Sequence, residues 1–155
     1  MKYDIVVIGS GPAGQKAAIQ SAKEGRKTLV IDRRNYKLGG VSLHSGTIPS
    51  KTLREAVLYL KGLKRKKIYG KSRRFSDTIA LSDLMERVEI ILEYELKIIE
   101  EQFKRNGIDV VYGQASFLDR NRLIVRDRDQ KDIMEISANK VIIATGTVPR
   151  HPSDI

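Results

Sequence analysis

The chain of 155 residues contains no cysteine, no tryptophan and only two histidines. Without cysteine there is no disulfide, no thiolate metal site and no thiol catalysis, and we predict no metal centre. No apolar run is long enough to cross a membrane. The N-terminus shows no charged-then-apolar signal pattern, so we expect a cytoplasmic protein. The length suits one domain with a sizeable core.

Acidic residues are few beside basic ones, and the formal net charge is +10. Most of the excess lies in residues 61–74, which hold eight Lys or Arg and no acid. We interpret this run as a solvated connector between two helices. The alternative is an anion-binding patch with Tyr69 as a stacking residue for single-stranded nucleic acid. Because one local run makes the excess, nucleic acid ranks last among the candidate partners.

The most informative stretch is DIVVIGSGPAG, residues 4–14. An apolar β-branched strand leads into a Gly-x-Gly-x-x-Gly turn and then into an alanine-rich helix. Gly9 makes the turn, Gly11 lets the backbone approach a pyrophosphate, and Gly14 lets the helix pack closely on the strand. Pro12 suits the first helical turn. The pattern predicts that a dinucleotide pyrophosphate binds at the helix N-terminus.

The helix is predicted to present small residues to the sheet. They are Ala13, Ala17, Ala18 and Ala22. A second buried strand over 28–32 completes a βαβ unit and ends in Asp32, 18 residues after Gly14. An acid here accepts hydrogen bonds from an adenosine ribose. Arg33 and Arg34 keep open the 2′-phosphate of NADP, but Asp32 favours a free 2′-hydroxyl.

Glycines and hydroxyl side chains dominate residues 39–47, which predict a loop whose backbone comes close to a ligand. Pro49 marks the first turn of the helix that follows. Four polar residues are expected to cluster around this second helix N-terminus: Ser42, Thr47, Ser50 and Lys51. His44 has no carboxylate partner that the sequence identifies, so we predict a structural role for it.

The second half of the chain continues the α/β pattern. A long amphipathic helix is predicted over 82–106, with Ser82 as its N-cap. A buried strand follows at 108–112, then short β-prone pieces over 115–137 that fit an antiparallel meander, then a strand at 141–146. The prediction is an α/β fold, in which helices flank a parallel sheet and an antiparallel β-meander is added.

The chain resembles the N-terminal FAD-binding part of the pyridine nucleotide–disulfide oxidoreductase family. The resemblance is carried by the residues quoted above together with residues 39–60, GGVSLHSGTIPSKTLREAVLYL. Within that family the chain is most similar to the soluble, Si-specific NAD(P)+ transhydrogenases. Most members place a redox cysteine pair at the positions of Ser42 and Thr47, and without those thiols electrons cannot pass to a disulfide. The transhydrogenase branch has Thr at the position of Thr47 and needs no thiol for hydride transfer. That branch commonly keeps the first cysteine, and Ser42 departs from it.

The resemblance implies a Rossmann-like FAD-binding domain over 1–150, incomplete by itself, with 151–155 starting a linker to a nicotinamide-nucleotide domain. It implies FAD as cofactor, NADPH and NAD+ as substrates of the full-length enzyme, and a homo-oligomer. Lys51 would lie near the flavin ring, where its charge would stabilise reduced flavin. The implied cofactor-binding residues are Gly9, Gly11, Pro12, Ala13, Gly14, Asp32, Arg33, Gly40, Val41, Ser42, Thr47, Ser50, Lys51, Gln114, Ala115, Ala144, Thr145 and Gly146.

Two other functions remain open. The chain could be a module that binds FAD or another adenine dinucleotide and has no activity of its own. It could also be the NAD(P) domain of a dehydrogenase without flavin, but that function leaves residues 39–51 without an explanation.

Overall fold

The apolar runs of the sequence form the strands of one mixed sheet, and the amphipathic stretches form the helices that cover it. The computed structural model describes residues 1–33, 37–65 and 80–147, without the side chains of 60–65. Arg34, Tyr69, most of the basic run and the predicted linker lie outside the described residues. The elements are β1 (Lys2–Ile8), α1 (Pro12–Lys23), β2 (Thr28–Asp32), α2 (Gly40–His44), α3 (Thr47–Arg65), α4 (Leu81–Arg105), β3 (Asp109–Tyr112), β4 (Gln114–Phe117), β5 (Arg122–Arg126) and β6 (Asp132–Ile143).

The sheet has six strands in the order β3-β2-β1-β6-β5-β4. The pairs β3-β2, β2-β1 and β1-β6 are parallel, whereas β6-β5 and β5-β4 are antiparallel. Strand β1 is central, and its Val6 and Val7 are completely buried because layers cover both faces. The predicted combination of a parallel sheet, flanking helices and an antiparallel meander is therefore confirmed.

One strand boundary was predicted wrongly. The meander over 115–137 and the strand at 141–146 are not separate, because β6 runs without a break through twelve residues. Its first part pairs with β5, and from Ser137 onward it pairs with β1. Asn139 lies within this strand, where its side-chain amide donates to Asp4 Oδ1 at 3.0 Å across the sheet. The polar residue joins two strands instead of ending one.

The two faces of the parallel strands bury different clusters. Val6 and Ile31 face the meander, where they pack with Val125 and Ile136. The alternate residues face the helices: Val7 packs there among Ala18, Val30, Leu38, Leu43, Ile99 and Phe103. The parallel sheet is thus the middle of three layers, and its strand ends lie between the helices and the meander.

The helix predictions need three corrections. In α1 the buried residues are Gly14, Ala18 and Ser21, while Ala13 is exposed, because the face that meets the sheet follows the i, i+4, i+7 spacing. Helix α4 begins at Leu81 with Ala80 as N-cap, not Ser82. The Asp83 carboxylate accepts the Ala80 N–H at 3.0 Å and so supplies the cap from the first turn.

The third correction concerns residues 39–47, which contain a short helix. Helix α2 spans Gly40–His44, with its apolar Leu43 buried in the cluster under the helices. The glycines predicted a loop, but the buried Leu43 side chain packs this short helix against the core. Within the described residues, no helix combines the length and apolar character that a membrane span requires.

Candidate functional site

A cleft of about 590 Å³ lies at the carboxyl ends of the parallel strands. Strands β1, β2 and β6 end there, and helices α1 and α2 begin there, which is where ligands bind in open α/β sheets. The cleft is lined by Ile8, Gly9, Ser10, Gly11, Pro12, Ile31, Asp32, Arg33, Gly40, Val41, Ser42, Gly113, Gln114, Ala115, Ala144, Thr145, Gly146 and Thr147.

The glycine turn between β1 and α1 forms the floor of this cleft. Gly9 has φ +104°, a backbone conformation that other residues rarely adopt, and its N–H donates to Ile31 O at 2.8 Å. A Cβ built on Gly14 would overlap the backbone of Gly9, so helix α1 packs directly on the turn. A Cβ built on Gly11 meets no described atom within 4 Å. Gly11 therefore presents bare backbone to the cleft.

The N-terminus of α1 makes the floor attractive to anions. Gly11 is its N-cap, and Pro12 occupies the first turn as predicted. None of the described side chains caps this end, and its first turn contains no acidic residue. The backbone N–H groups and the positive end of the helix dipole are left for an anionic ligand.

Asp32 stands at the side of the cleft, at the end of β2, and is 8% exposed. The backbone N–H of Ser10 donates to Asp32 Oδ2 at 2.9 Å, and the Ser10 hydroxyl donates to the same oxygen. The Gly39 N–H in turn donates to Ser10 Oγ at 3.1 Å. Ser10 therefore joins the glycine turn, the acid and the segment that enters α2.

Helix α2 closes one side of the cleft. A Cβ on Gly40 would lie 2.8 Å from Gly11 Cα, so the two backbones are in contact. Ser42 Oγ donates to Gly39 O at 3.0 Å. His44 Nε2 lies 2.8 Å from Leu38 O, to which it donates a hydrogen bond, and this bond ties the His44 side chain to the segment that enters α2.

Backbone segments form the opposite wall. The Gly113 N–H donates to Asp32 O at 2.9 Å, which brings the start of β4, with Gln114 and Ala115, beside the acid. The Ala144 N–H donates to Ile8 O at 2.8 Å and extends the pairing of β6 with β1 to the cleft. Residues from five separate parts of the chain thus line one site.

The structure places most of the predicted residues in the lining, but not all. Ala13 and Gly14 lie on α1 behind the glycine turn. Thr47, Ser50 and Lys51 are exposed at the start of α3, and the described lining does not include them. Their role toward a ligand stays a prediction. Among the described residues, no group of three or more His, Asp or Glu is placed to hold a metal ion.

Several lining residues were missed by the sequence analysis: Ile8, Ser10, Ile31 and Thr147. Ser10 had a signal, because a hydroxyl residue inside a glycine turn is close to the strand ends. Its bond to Asp32 required the register of β1 against β2, which only the folded chain provides.

The arrangement defines a class of protein. Parallel strands, a glycine turn at a helix N-terminus and an acid at the end of the second strand form a Rossmann-like α/β domain of the dinucleotide-binding kind. The family model for pyridine nucleotide-disulphide oxidoreductases matches residues 3–155. The chain belongs to this family.

Individual relatives agree with that assignment. A soluble pyridine nucleotide transhydrogenase of Mycobacterium bovis (strain BCG / Pasteur 1173P2) is 45% identical over 154 residues, which are 99% of this chain and 33% of that protein. The same-named protein of Chromohalobacter salexigens is 36% identical over 156 residues, 99% of this chain and 32% of that protein. The chain therefore spans about a third of the length of these relatives.

Among solved structures, the Cu(II) complex of the HOCl-induced flavoprotein disulfide reductase RclA from Escherichia coli superposes with a TM-score of 0.77. It is 26% identical, and the match covers 99% of this chain and 30% of that one. The likeness extends to the whole described fold, including the meander layer.

Proposed function

We propose that this chain is the FAD-binding part of a soluble flavoprotein transhydrogenase, which transfers hydride between NADPH and NAD+ through FAD. The observation that carries the proposal is the single cleft where the glycine turn, Asp32 and the entrance to α2 meet. The transhydrogenase relatives, which match 99% of the chain, support the same function. These relatives are named as soluble proteins, which supports the cytoplasmic location expected above.

The residues present fit an adenine dinucleotide. Gly11 leaves open space where a side chain would block a diphosphate, and the α1 N-terminus favours its negative charge. Asp32 would accept hydrogen bonds from ribose hydroxyls, and Arg33 lines the cleft next to it. Gln114 and Ala115 would lie along the adenine, because their strand starts next to Asp32.

The flavin half would extend toward α2 and α3. Val41 and Ser42 line that end of the cleft, and Ala144, Thr145 and Gly146 line the facing wall. Thr47, Ser50 and Lys51 follow at the start of α3, where the Lys51 ammonium would stabilise negative charge near the flavin. FAD, when bound, accepts a hydride from one nicotinamide and donates it to another. Ser42 and Thr47 cannot supply thiols, and this transfer needs none.

The domain limits belong to the proposal as well. Residues 1–150 would form the cofactor-binding domain and 151–155 the start of a linker. The nicotinamide substrates and the oligomer would depend on parts of the relatives that this chain does not span. A second candidate is a binding module without activity of its own, and the span of about a third of the relatives favours it for the 155-residue chain alone.

Nucleotide binding tests the proposal directly. We expect ADP and FAD to compete for one site, with weak affinity in the millimolar to micromolar range, measured by calorimetry and by perturbation of amide resonances. Asp32→Asn should weaken ADP binding about tenfold or more, because a hydrogen bond to a charged acceptor is lost. Asp129→Asn is the matched control, since Asp129 is exposed in the loop between β5 and β6 and does not line the cleft.

The outcomes separate the two candidates. Absence of ADP and FAD binding, or binding that Asp32→Asn leaves unchanged, would contradict the proposed site. We expect no hydride transfer from NADPH to an NAD+ analogue by this chain alone. A stoichiometric yellow complex that performs that transfer would show that the chain needs no further domain.

A further inference from the structure

Ser10 has a buried polar side chain, and the proposed function assigns this side chain no direct contact with the ligand. It is 0% exposed and sits between the end of β1 and the start of α1. Its hydroxyl donates to Asp32 Oδ2 and accepts the Gly39 N–H at 3.1 Å. Its carbonyl accepts from Gln15 Nε2 at 2.8 Å and from the Gly39 N–H at 3.2 Å.

The bonds on Asp32 differ in what they constrain. The Ser10 N–H, at 2.9 Å, holds one carboxylate oxygen from one direction only. The hydroxyl donates to that same oxygen from a second direction, so Ser10 restrains the carboxylate with two donors. Because both donors are buried, water cannot replace the hydroxyl if it is removed.

The hydroxyl also depends on the segment before α2. A serine hydroxyl has one proton to donate, and accepting the Gly39 N–H leaves that proton aimed at Asp32. The Gly39 backbone leads into Gly40, which contacts Gly11. The direction of the Asp32 carboxylate is therefore coupled to the position of the α2 entrance across the cleft floor.

We infer that Ser10 is a positioning residue, whose hydroxyl orients the Asp32 carboxylate for the ribose hydroxyls of the bound adenine nucleotide. The inference rests on the proposed function, since it deepens the role of Asp32 there. A preorganised acceptor loses little entropy on binding and discriminates strongly against a ligand that lacks the matching hydroxyl. Removing Ser10 Oγ should therefore reduce discrimination between ligands, and not only affinity.

The test compares ADP with 2′,3′-dideoxy-ADP on the 155-residue chain. In the unmodified chain we expect the dideoxy ligand to bind about tenfold or more weakly, because two ribose hydroxyls lose their charged acceptor. In Ser10→Ala the ratio should fall to about threefold or less. The change should come from weaker ADP binding, with the affinity for the dideoxy ligand unaltered. Ser21→Ala is the matched control: its hydroxyl is also buried, but donates to Ala17 O at 2.7 Å within α1.

The same comparison in an Asp32→Asn background tests whether Ser10 acts on the ligand through Asp32. If Ser10 acts through Asp32, Ser10→Ala should have no further effect on the ratio in that background. Ser10→Gly lacks the same hydroxyl and serves where the alanine variant does not fold. Unfolding by urea, measured on each variant, checks that the ratio is taken on folded protein.

The possible results separate a failure of this inference from a failure of the proposed function. A ratio that stays at the unmodified value in both Ser10 variants, or falls equally in Ser21→Ala, overturns the inference while leaving the proposed site intact. Equal weakening of both ligands also overturns it, since that result indicates a structural role for Ser10. Absence of binding by the unmodified chain overturns the proposed function and this inference together.

Discussion

Replacing Gly14 by alanine tests how closely α1 must pack on the end of β1. A Cβ at position 14 would overlap Gly9 O and lie 3.0 Å from Gly9 C and 3.4 Å from Val7 Cγ1. The first two atoms are backbone, so no side-chain rotation can relieve the overlap. The helix must move away by more than about 1 Å to restore ordinary separations.

The magnitude follows from two opposing effects. Overpacking against a rigid neighbour costs about 3 kcal/mol at the upper end of the usual range. Alanine in a helix is favoured over glycine by about 1 kcal/mol. We therefore expect Gly14→Ala to lower the free energy of unfolding by about 2 kcal/mol, which corresponds to a fall in Tm of about 4–8 °C for a chain of this length.

Gly11→Ala is the control, because it adds the same methyl group three residues earlier. Its Cβ meets no described atom within 4 Å, and Gly11 has an ordinary φ of −65°. We expect its stability to change by less than about 1 kcal/mol, while ADP binding weakens because the methyl group occupies the cleft floor. Urea and thermal unfolding measure the first effect, and calorimetry measures the second. The reasoning fails if Gly14→Ala is as stable as the unmodified chain, or if Gly11→Ala loses as much stability.

Two further predictions concern Tyr3 in β1 and Lys51 in α3. Burial and then the neighbouring Asp109 carboxylate, which accepts the Tyr3 hydroxyl at 2.9 Å, raise the pKa of Tyr3 from 10.0 to about 12. The neutral phenol therefore stabilises the fold fully below pH 10, and this stabilisation is lost as the pH rises from 10 to 12. Because solvent screens the part-buried hydroxyl, we expect the stabilisation to amount to about 1–2 kcal/mol. In urea unfolding, Tyr3→Phe should be less stable than the unmodified chain at pH 8 and should approach it at pH 11, and a constant difference would contradict the shift. Lys51→Met should leave ADP affinity unchanged, because Lys51 lies outside the described lining, and should weaken FAD binding; equal loss for both ligands in calorimetry would contradict a role near the flavin.

Much of the fold could be predicted because its signals are local. The strand, glycine turn, helix and second strand over 2–32 follow from hydrophobic periodicity and from the residues that begin and end helices. Errors occurred where a neighbour in space decided the conformation. Helix α2 depends on Leu43 reaching the core, and the continuity of β6 depends on pairing with both β5 and β1.

The candidate site, like the fold, could be predicted only where the sequence carries a local signal. Gly9, Gly11 and Asp32 were predicted because their spacing has a direct mechanical meaning in a βαβ unit. Ile8 and Ile31 were missed as lining residues, since an apolar residue near the end of a strand carries no such signal. The role of Lys51 near the flavin, in contrast, was predicted from resemblance alone, and the described cleft does not reach this residue.

The order of residues along the chain predicts a dinucleotide as the ligand, because strand, glycine turn, helix dipole and acid all lie within 32 consecutive residues. The absence of cysteine likewise settled from the sequence that no thiol relay operates in this chain. The folded sheet decided how those parts meet: parallel register brings Ser10 onto Asp32, and β6 brings Ala144 onto the end of β1. Such contacts join residues 22 and more than 130 positions apart. No local pattern can specify them, since they form only when the core has packed and set the distances between the strand ends.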